Sequence, residues 1–274
     1  MCGFQLIRFP LTDLLILFVS SSNQGMPHGI ACPLRQPDIA MTRPITFVPG
    51  TMCDERVWHP VWAQLQGKLT CNYLPIHKAR SAAEFRQHFH NAADAEGPLN
   101  LVAFSMGGYL AMEFAIGHPD KVASLVTICS SAFGLHDEEK KQRQSALEYL
   151  KTHIYKGIVD ARLNQMLHPD HRSGNAIKQI MRDMDHDLGV ETLITQLSET
   201  TERIDLSGQL NRITCPTLMI AGDTDPFLTE LQLAIMTSEI PNTKSAIAPD
   251  CGHMVPLERP LWLAGVLSEF YGAS

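Results

Sequence analysis

Leu99-Asn-Leu-Val-Ala-Phe-Ser105-Met-Gly-Gly-Tyr-Leu-Ala-Met-Glu-Phe-Ala-Ile-Gly-His-Pro119 decides how this chain of 274 residues folds. Its first six residues are a short, mostly apolar run of the kind that makes a buried strand. The stretch from Gly108 to Pro119 has helical apolar spacing and stops at a proline. Ser105 falls on the junction. Its hydroxyl there projects from the strand end, beside helix-start N–H groups that face any nearby anion. The backbone crowds at such a turn, so the residues two before and two after the serine must be small. Ala103 and Gly107 meet that need. The general pattern is G-x-S-x-G, and alanine in the first place is the smallest departure from it.

A serine alcohol is a poor nucleophile until a histidine takes its proton, and that histidine must be oriented by a carboxylate. Downstream, Pro216-Thr-Leu-Met-Ile-Ala-Gly-Asp-Thr-Asp225-Pro226 is an apolar strand ending in two acids. Ser245-Ala-Ile-Ala-Pro249 is another short strand, followed by Asp250-Cys-Gly-His253. Serine, acid and histidine therefore come in that chain order, each just past the end of a predicted strand.

On four motifs the chain resembles α/β-hydrolase-fold proteins of the compact serine esterase and lactonase type with an inserted helical cap. They are Val48-Pro-Gly-Thr-Met52, Ala103-Phe-Ser-Met-Gly107, Gly222-Asp-Thr-Asp225 and Gly252-His-Met-Val-Pro-Leu-Glu-Arg-Pro260. The resemblance runs from about Pro44 to the C-terminus. It implies a catalytic triad of Ser105, Asp225 and His253, with Asp223 left to stabilise its turn. It also implies an oxyanion hole built from the backbone N–H groups of Thr51 and Met106. Pro49 stands where related proteins carry a bracing histidine, which leaves the support of that loop open. Met52 and Phe104 are expected to line the substrate pocket.

Beyond the motifs, strands are predicted near 45–48, 70–74, 99–104, 122–128, 217–221 and 244–248. Helices are predicted near 55–67, 81–95, 106–117, 227–238 and 259–271. This is an α/β chain: a mostly parallel central sheet with helices on both faces. Between Ile128 and Cys215 the alternation stops, and helical segments are expected at 137–154, 157–167, 173–186 and 188–201. The expected organisation is a core of residues 41–132 and 206–274 with a helical cap at 133–205. A cap of that kind roofs a site and excludes water. Residues 1–40, with an apolar stretch broken by Asp13 and a linker-like run of prolines, read as an extension outside the core.

Hydrophobic content of 45% and charged content of 19% suit one globular domain with a substantial core. A net charge of −7 excludes the basic face that nucleic acid or an anionic membrane surface requires. Seven scattered cysteines with no C-x-x-C pair fit buried thiols in a reducing compartment, so a cytoplasmic location is expected, with export the alternative reading of the apolar N-terminal stretch. The pairs His88/His90 and His168/His171, and His186 between two aspartates, lack the spacing of a zinc site, so neither metal nor cofactor is expected.

The chemistry read from these residues is acyl transfer through an acyl-enzyme on a small carboxylic ester or lactone. A thioesterase or a carbon–carbon bond hydrolase would use the same triad. A small-molecule receptor on the same fold is the alternative of another class. Nothing in the sequence fixes the oligomeric state.

Overall fold

A computed structural model describes residues 43–273, so the expected extension at 1–40 lies outside the described residues. The sheet strands are β1 (Ile45–Val48), β2 (Cys71–Tyr73), β3 (Leu99–Phe104), β4 (Val122–Ile128), β5 (Thr217–Gly222) and β6 (Thr243–Ala248). They lie side by side in the order β2-β1-β3-β4-β5-β6, and every neighbouring pair is parallel. Each observed strand falls within one residue of its predicted limits.

Period-two alternation explains why these apolar runs settle as central strands. In β3, Leu99, Leu101 and Ala103 face one core layer, while Val102 and Phe104 face the other. The first layer is closed by α2 (Ala82–Glu96), α3 (Met106–Gly117) and α7 (Glu230–Glu239), through residues such as Phe85, Phe89, Met112 and Met236. The second is closed by α1 (His59–Leu65) and α9 (Pro260–Phe270), with Leu65, Leu263 and Leu267 packed on Phe47 and Val126. Asn100, the polar residue of β3, is buried and accepts a hydrogen bond from the Ser124 hydroxyl at 2.8 Å.

Helix limits follow local chemistry. Ser81 caps α2 by accepting from the Glu84 N–H, and Thr229 with Gln232 forms a reciprocal capping box that starts α7 at Glu230. The predicted helix at 55–67 opens as a single 3-10 turn, Glu55–Val57, before α1 begins with proline in its first turn. The predicted helix at 259–271 is preceded by one turn, α8 (Val255–Glu258).

Between β4 and β5 the chain is helical: α4 (Asp137–Thr152), α5 (Asp160–Met166) and α6 (Asn175–Thr201). The two helices predicted at 173–186 and 188–201 are joined in α6 across a break at Gly189, whose φ of 72° favours glycine. The inserted helices contribute Leu163, Leu167, Met181 and Met184 to the second core layer. By contrast, α4 buries none of its residues. Among the described residues no helix is long and apolar enough to cross a membrane.

Candidate active site

Ser105 joins β3 to α3 with a φ of 51°, a left-handed conformation that costs a non-glycine residue about 1–3 kcal/mol. The neighbours that fix it have no room for side chains. A Cβ on Gly107 would stand 2.4 Å from the Pro49 carbonyl oxygen, and one on Gly108 would stand 2.6 Å from the Ser130 Cβ. The Ser105 N–H donates to the Ile128 carbonyl at 2.8 Å, tying the turn to the end of β4.

The loops after β5 and β6 bring the other two predicted residues to the same place. His253 Nε2 lies 3.0 Å from Ser105 Oγ, and His253 Nδ1 lies 3.0 and 3.1 Å from the two carboxylate oxygens of Asp225. The acid and the imidazole are both buried. Burial pushes the Asp225 carboxyl up, but the His253 charge and hydrogen bonds from His253, the Phe227 N–H and Cys129 outweigh it. The net position is below the ordinary carboxylate value. Asp225 is therefore ionised near neutral pH and holds the Nδ1–H tautomer, leaving Nε2 to accept from the serine. Phe104 packs at 5.1 Å and Phe227 at 4.8 Å from the imidazole ring, so apolar rings screen the relay from solvent.

Asp223, expected to stabilise its turn, accepts from the N–H groups of Asp250 and Cys251 at 2.7 and 2.9 Å. It thus ties the acid-bearing loop to the histidine-bearing loop. The same two loops meet where Gly222 faces Gly252: a Cβ on Gly222 would lie 2.0 Å from the Gly252 carbonyl oxygen. On the other side of Gly252 is α5, and the His253 N–H donates to the Met166 carbonyl at 2.8 Å.

Sequence reasoning gave Glu258 no role, although it lies in a quoted motif. Its carboxylate is fully buried and accepts from the N–H groups of Gly252 and Met254, each at 3.1 Å, and of His168 at 2.8 Å. His171 Nδ1 lies 2.8 Å from the same group. One buried acid therefore gathers the histidine loop and the inserted helices. Charge-assisted bonds of this kind are about twice as strong as neutral ones.

Gln196 of α6 was also missed. It is buried, and its Oε1 accepts from the Met52 N–H at 2.8 Å, which holds the Pro49–Met52 loop from above. This is the support that the sequence left open when it put Pro49 in place of histidine. Met52 itself has a φ of 52° and is almost completely buried. The N–H groups of Thr51 and Met106, the two predicted oxyanion donors, make no hydrogen bond to another described residue. Met106 is the first residue of α3, where the N–H has no acceptor within the helix.

Among the described residues, one group comes within metal-ligating reach: Cys129, Asp225 and His253, with their ligand atoms within 4.8 Å of one another. Two of the three are already engaged with each other in the relay. Burial pushes the Cys129 thiol well above its ordinary range, so the thiolate that a metal would need is disfavoured. The five described cysteines, Cys53, Cys71, Cys129, Cys215 and Cys251, are free thiols.

The model of the alpha/beta hydrolase family matches residues 47–266. Among curated proteins, monoacylglycerol lipase ABHD6 of Bos taurus is 25% identical over 184 residues, covering 63% of this chain and 54% of the lipase. The pimeloyl-[acyl-carrier protein] methyl ester esterase of Yersinia enterocolitica is 24% identical over 176 residues, or 62% of this chain and 67% of that protein. The chain thus spans about half the length of the lipase it matches. Among solved structures, a thermophilic esterase from Thermogutta terrifontis aligns with a TM-score of 0.74 at 21% identity, covering 83% of this chain and 89% of the esterase. The enol-lactonase from Burkholderia xenovorans LB400 aligns with a TM-score of 0.73 at 18% identity, covering 84% and 92%. At these identities the structural likeness speaks to the fold.

Proposed function

The chain belongs to the alpha/beta hydrolase family, and from that premise we propose that it is a serine hydrolase of small carboxylic esters or lactones, working through an acyl-enzyme. The observation that carries this reading is the continuous Asp225–His253–Ser105 relay, on 3.0 Å contacts, with its serine on a strained turn. The curated relatives named as a lipase and a methyl ester esterase support the same reaction class.

In this mechanism His253 Nε2 takes the Ser105 proton as Oγ attacks the carbonyl carbon. Negative charge then develops on the carbonyl oxygen, and the N–H groups of Thr51 and Met106, which have no acceptor among the described residues, serve as its donors in this reading. His253 returns the proton to the leaving alcohol, and water repeats the sequence on the acyl-enzyme. Asp225 stays ionised and stabilises the imidazolium that forms in each half. The helices between β4 and β5 act as a cap that excludes bulk water, with the domain limits at 133–205 and the core at 41–132 and 206–274. Met52 and Phe104 line the substrate pocket in this reading. Free thiols throughout the described residues suit a cytoplasmic location.

The test is turnover of nitrophenyl esters of increasing acyl length, with acyl-thioesters alongside. Short esters should be hydrolysed and thioesters left alone, and Ser105→Ala should lower kcat by at least about 10⁴-fold while the protein still unfolds cooperatively. Turnover that survives the substitution would remove Ser105 from the mechanism. Preference for thioesters would move the substrate class.

A further inference from the structure

The mechanism leaves Glu258 without a task, although its side chain is wholly buried one short helix past the base. Its Oε1 accepts from the N–H groups of Gly252 and Met254, each at 3.1 Å. These are the peptides on either side of His253. The N–H of His253 itself donates to the Met166 carbonyl at 2.8 Å, so the successive N–H groups around the base are all engaged. Glu258 Oε2 accepts from the His168 N–H and from His171 Nδ1, both at 2.8 Å. A carboxylate oxygen only accepts, so His171 Nδ1 carries the proton in this contact. His168 and His171 stand at the two ends of the 3-10 turn between α5 and α6.

No lysine or arginine among the described residues pairs with this acid, and the neighbouring Arg259 is paired with Asp250 at 2.8 Å. Cys251 Sγ lies 3.9 Å from Oε1. Glu258 is thus held by donors from two chain segments, the histidine loop and the inserted segment. Those segments pack without slack. A Cβ on Gly252 would stand 2.5 Å from the Met166 carbonyl oxygen and 2.7 Å from the His168 nitrogen. The Leu167 carbonyl between them accepts from Arg172 Nε at 3.0 Å. Residues 166–168 therefore form a wall against the histidine loop, and Glu258 ties the two together.

We propose that Glu258 is a positioning residue for the base His253, with His171 as its partner from the inserted segment, so that the insertion helps to align the relay. This rests on the ester-hydrolase reading above and adds the pair that holds its base. His253 must face Ser105 in one half-reaction and water in the next, so its ring needs one orientation throughout. A misplacement of about 1 Å at such a group can cost about a hundredfold in rate. Asp225 orients the ring through Nδ1, but it does not touch the backbone from which the ring projects. Glu258 grips that backbone on both sides, and bonds of this kind hold reacting groups to the tolerance that catalysis demands.

Three variants of the full-length chain test the inference: Glu258→Gln, His171→Ala and His171→Asn. Two readouts are taken below the melting range. One is steady-state kinetics on a nitrophenyl ester. The other is the far-downfield proton NMR signal of His253 Nδ1–H, assigned by its loss in Asp225→Asn. Glu258→Gln keeps the size of the side chain but turns one acceptor into a donor. Its kcat should fall about 10- to 100-fold with KM little changed, and the Nδ1–H signal should shift or broaden. His171→Ala should move both readouts the same way, with kcat down about three- to tenfold. His171→Asn, whose Nδ2–H can stand in for Nδ1–H, should restore them. If Glu258→Gln does not fold, the two changes at the partly exposed His171 carry the test. A lower melting temperature with kcat and the proton signal unmoved would make Glu258 a packing residue and overturn the proposal. Failure of asparagine to restore what alanine removes would overturn the pairing with His171. Since the proton signal is read without turnover, wild-type protein that shows it but cleaves no ester would count against the hydrolase reading alone.

Discussion

Ser105 and Asp225 are held by constraints that a single side chain can remove. Asp225 keeps His253 in the tautomer whose Nε2 faces the serine, so Asp225→Asn should present the wrong proton at Nδ1. The expected loss in kcat is about 10⁴-fold with KM little changed, read by steady-state kinetics on a nitrophenyl ester. The same residue links stability to pH. Its carboxyl binds a proton less readily in the folded chain than at its ordinary value of 3.8. The stability it contributes is therefore fully present above that value and is lost as pH falls through the lower folded value. Melting temperatures measured from neutral pH down to below the folded value should show the wild type losing this increment while Asp225→Asn does not. Parallel curves would place the acid lability elsewhere.

At the level of elements, α6 reaches across the site to hold the loop after β1. Gln196→Leu should strand the buried Met52 N–H, at a cost of about 1–3 kcal/mol, and free the loop that carries Thr51. If Thr51 is an oxyanion donor as proposed, the expected kinetic signature is a fall in kcat larger than the rise in KM, since such a donor is needed most as charge develops. A pure stability loss with normal kcat below the melting range would reduce Gln196 to a packing residue. This contact also marks the limit of what the sequence discloses. Strand positions and a two-part helical stretch over 173–201 were legible because each is written in a local pattern, and so were a serine, an acid and a histidine at successive strand ends, whereas choosing Asp225 over Asp223 took the family resemblance. Gln196 and Met52 are 144 positions apart, and Glu258 and His171 are 87 apart. Neither pair shares a period or a neighbour, so nothing along the chain announces that they meet.

The whole molecule places its chemistry along one edge of an all-parallel sheet, with the strand ends of β3, β5 and β6 each supplying one member of the relay. In spatial order β3 is central and β6 is outermost, but in chain order the serine comes first and its base comes last. Ser105 and His253 are separated by 148 positions. At roughly 5–20 residues per second, synthesis of that interval takes about 7 to 30 seconds, during which the serine turn can form with no base beside it. A ribosome-stalled chain ending at Pro241 should accordingly release no nitrophenol, whereas one extended past the C-terminus by an unstructured tether should. Ordering the residues this way makes translation itself a timer: the hydroxyl acquires a proton acceptor only after β4, β5 and β6 have been made.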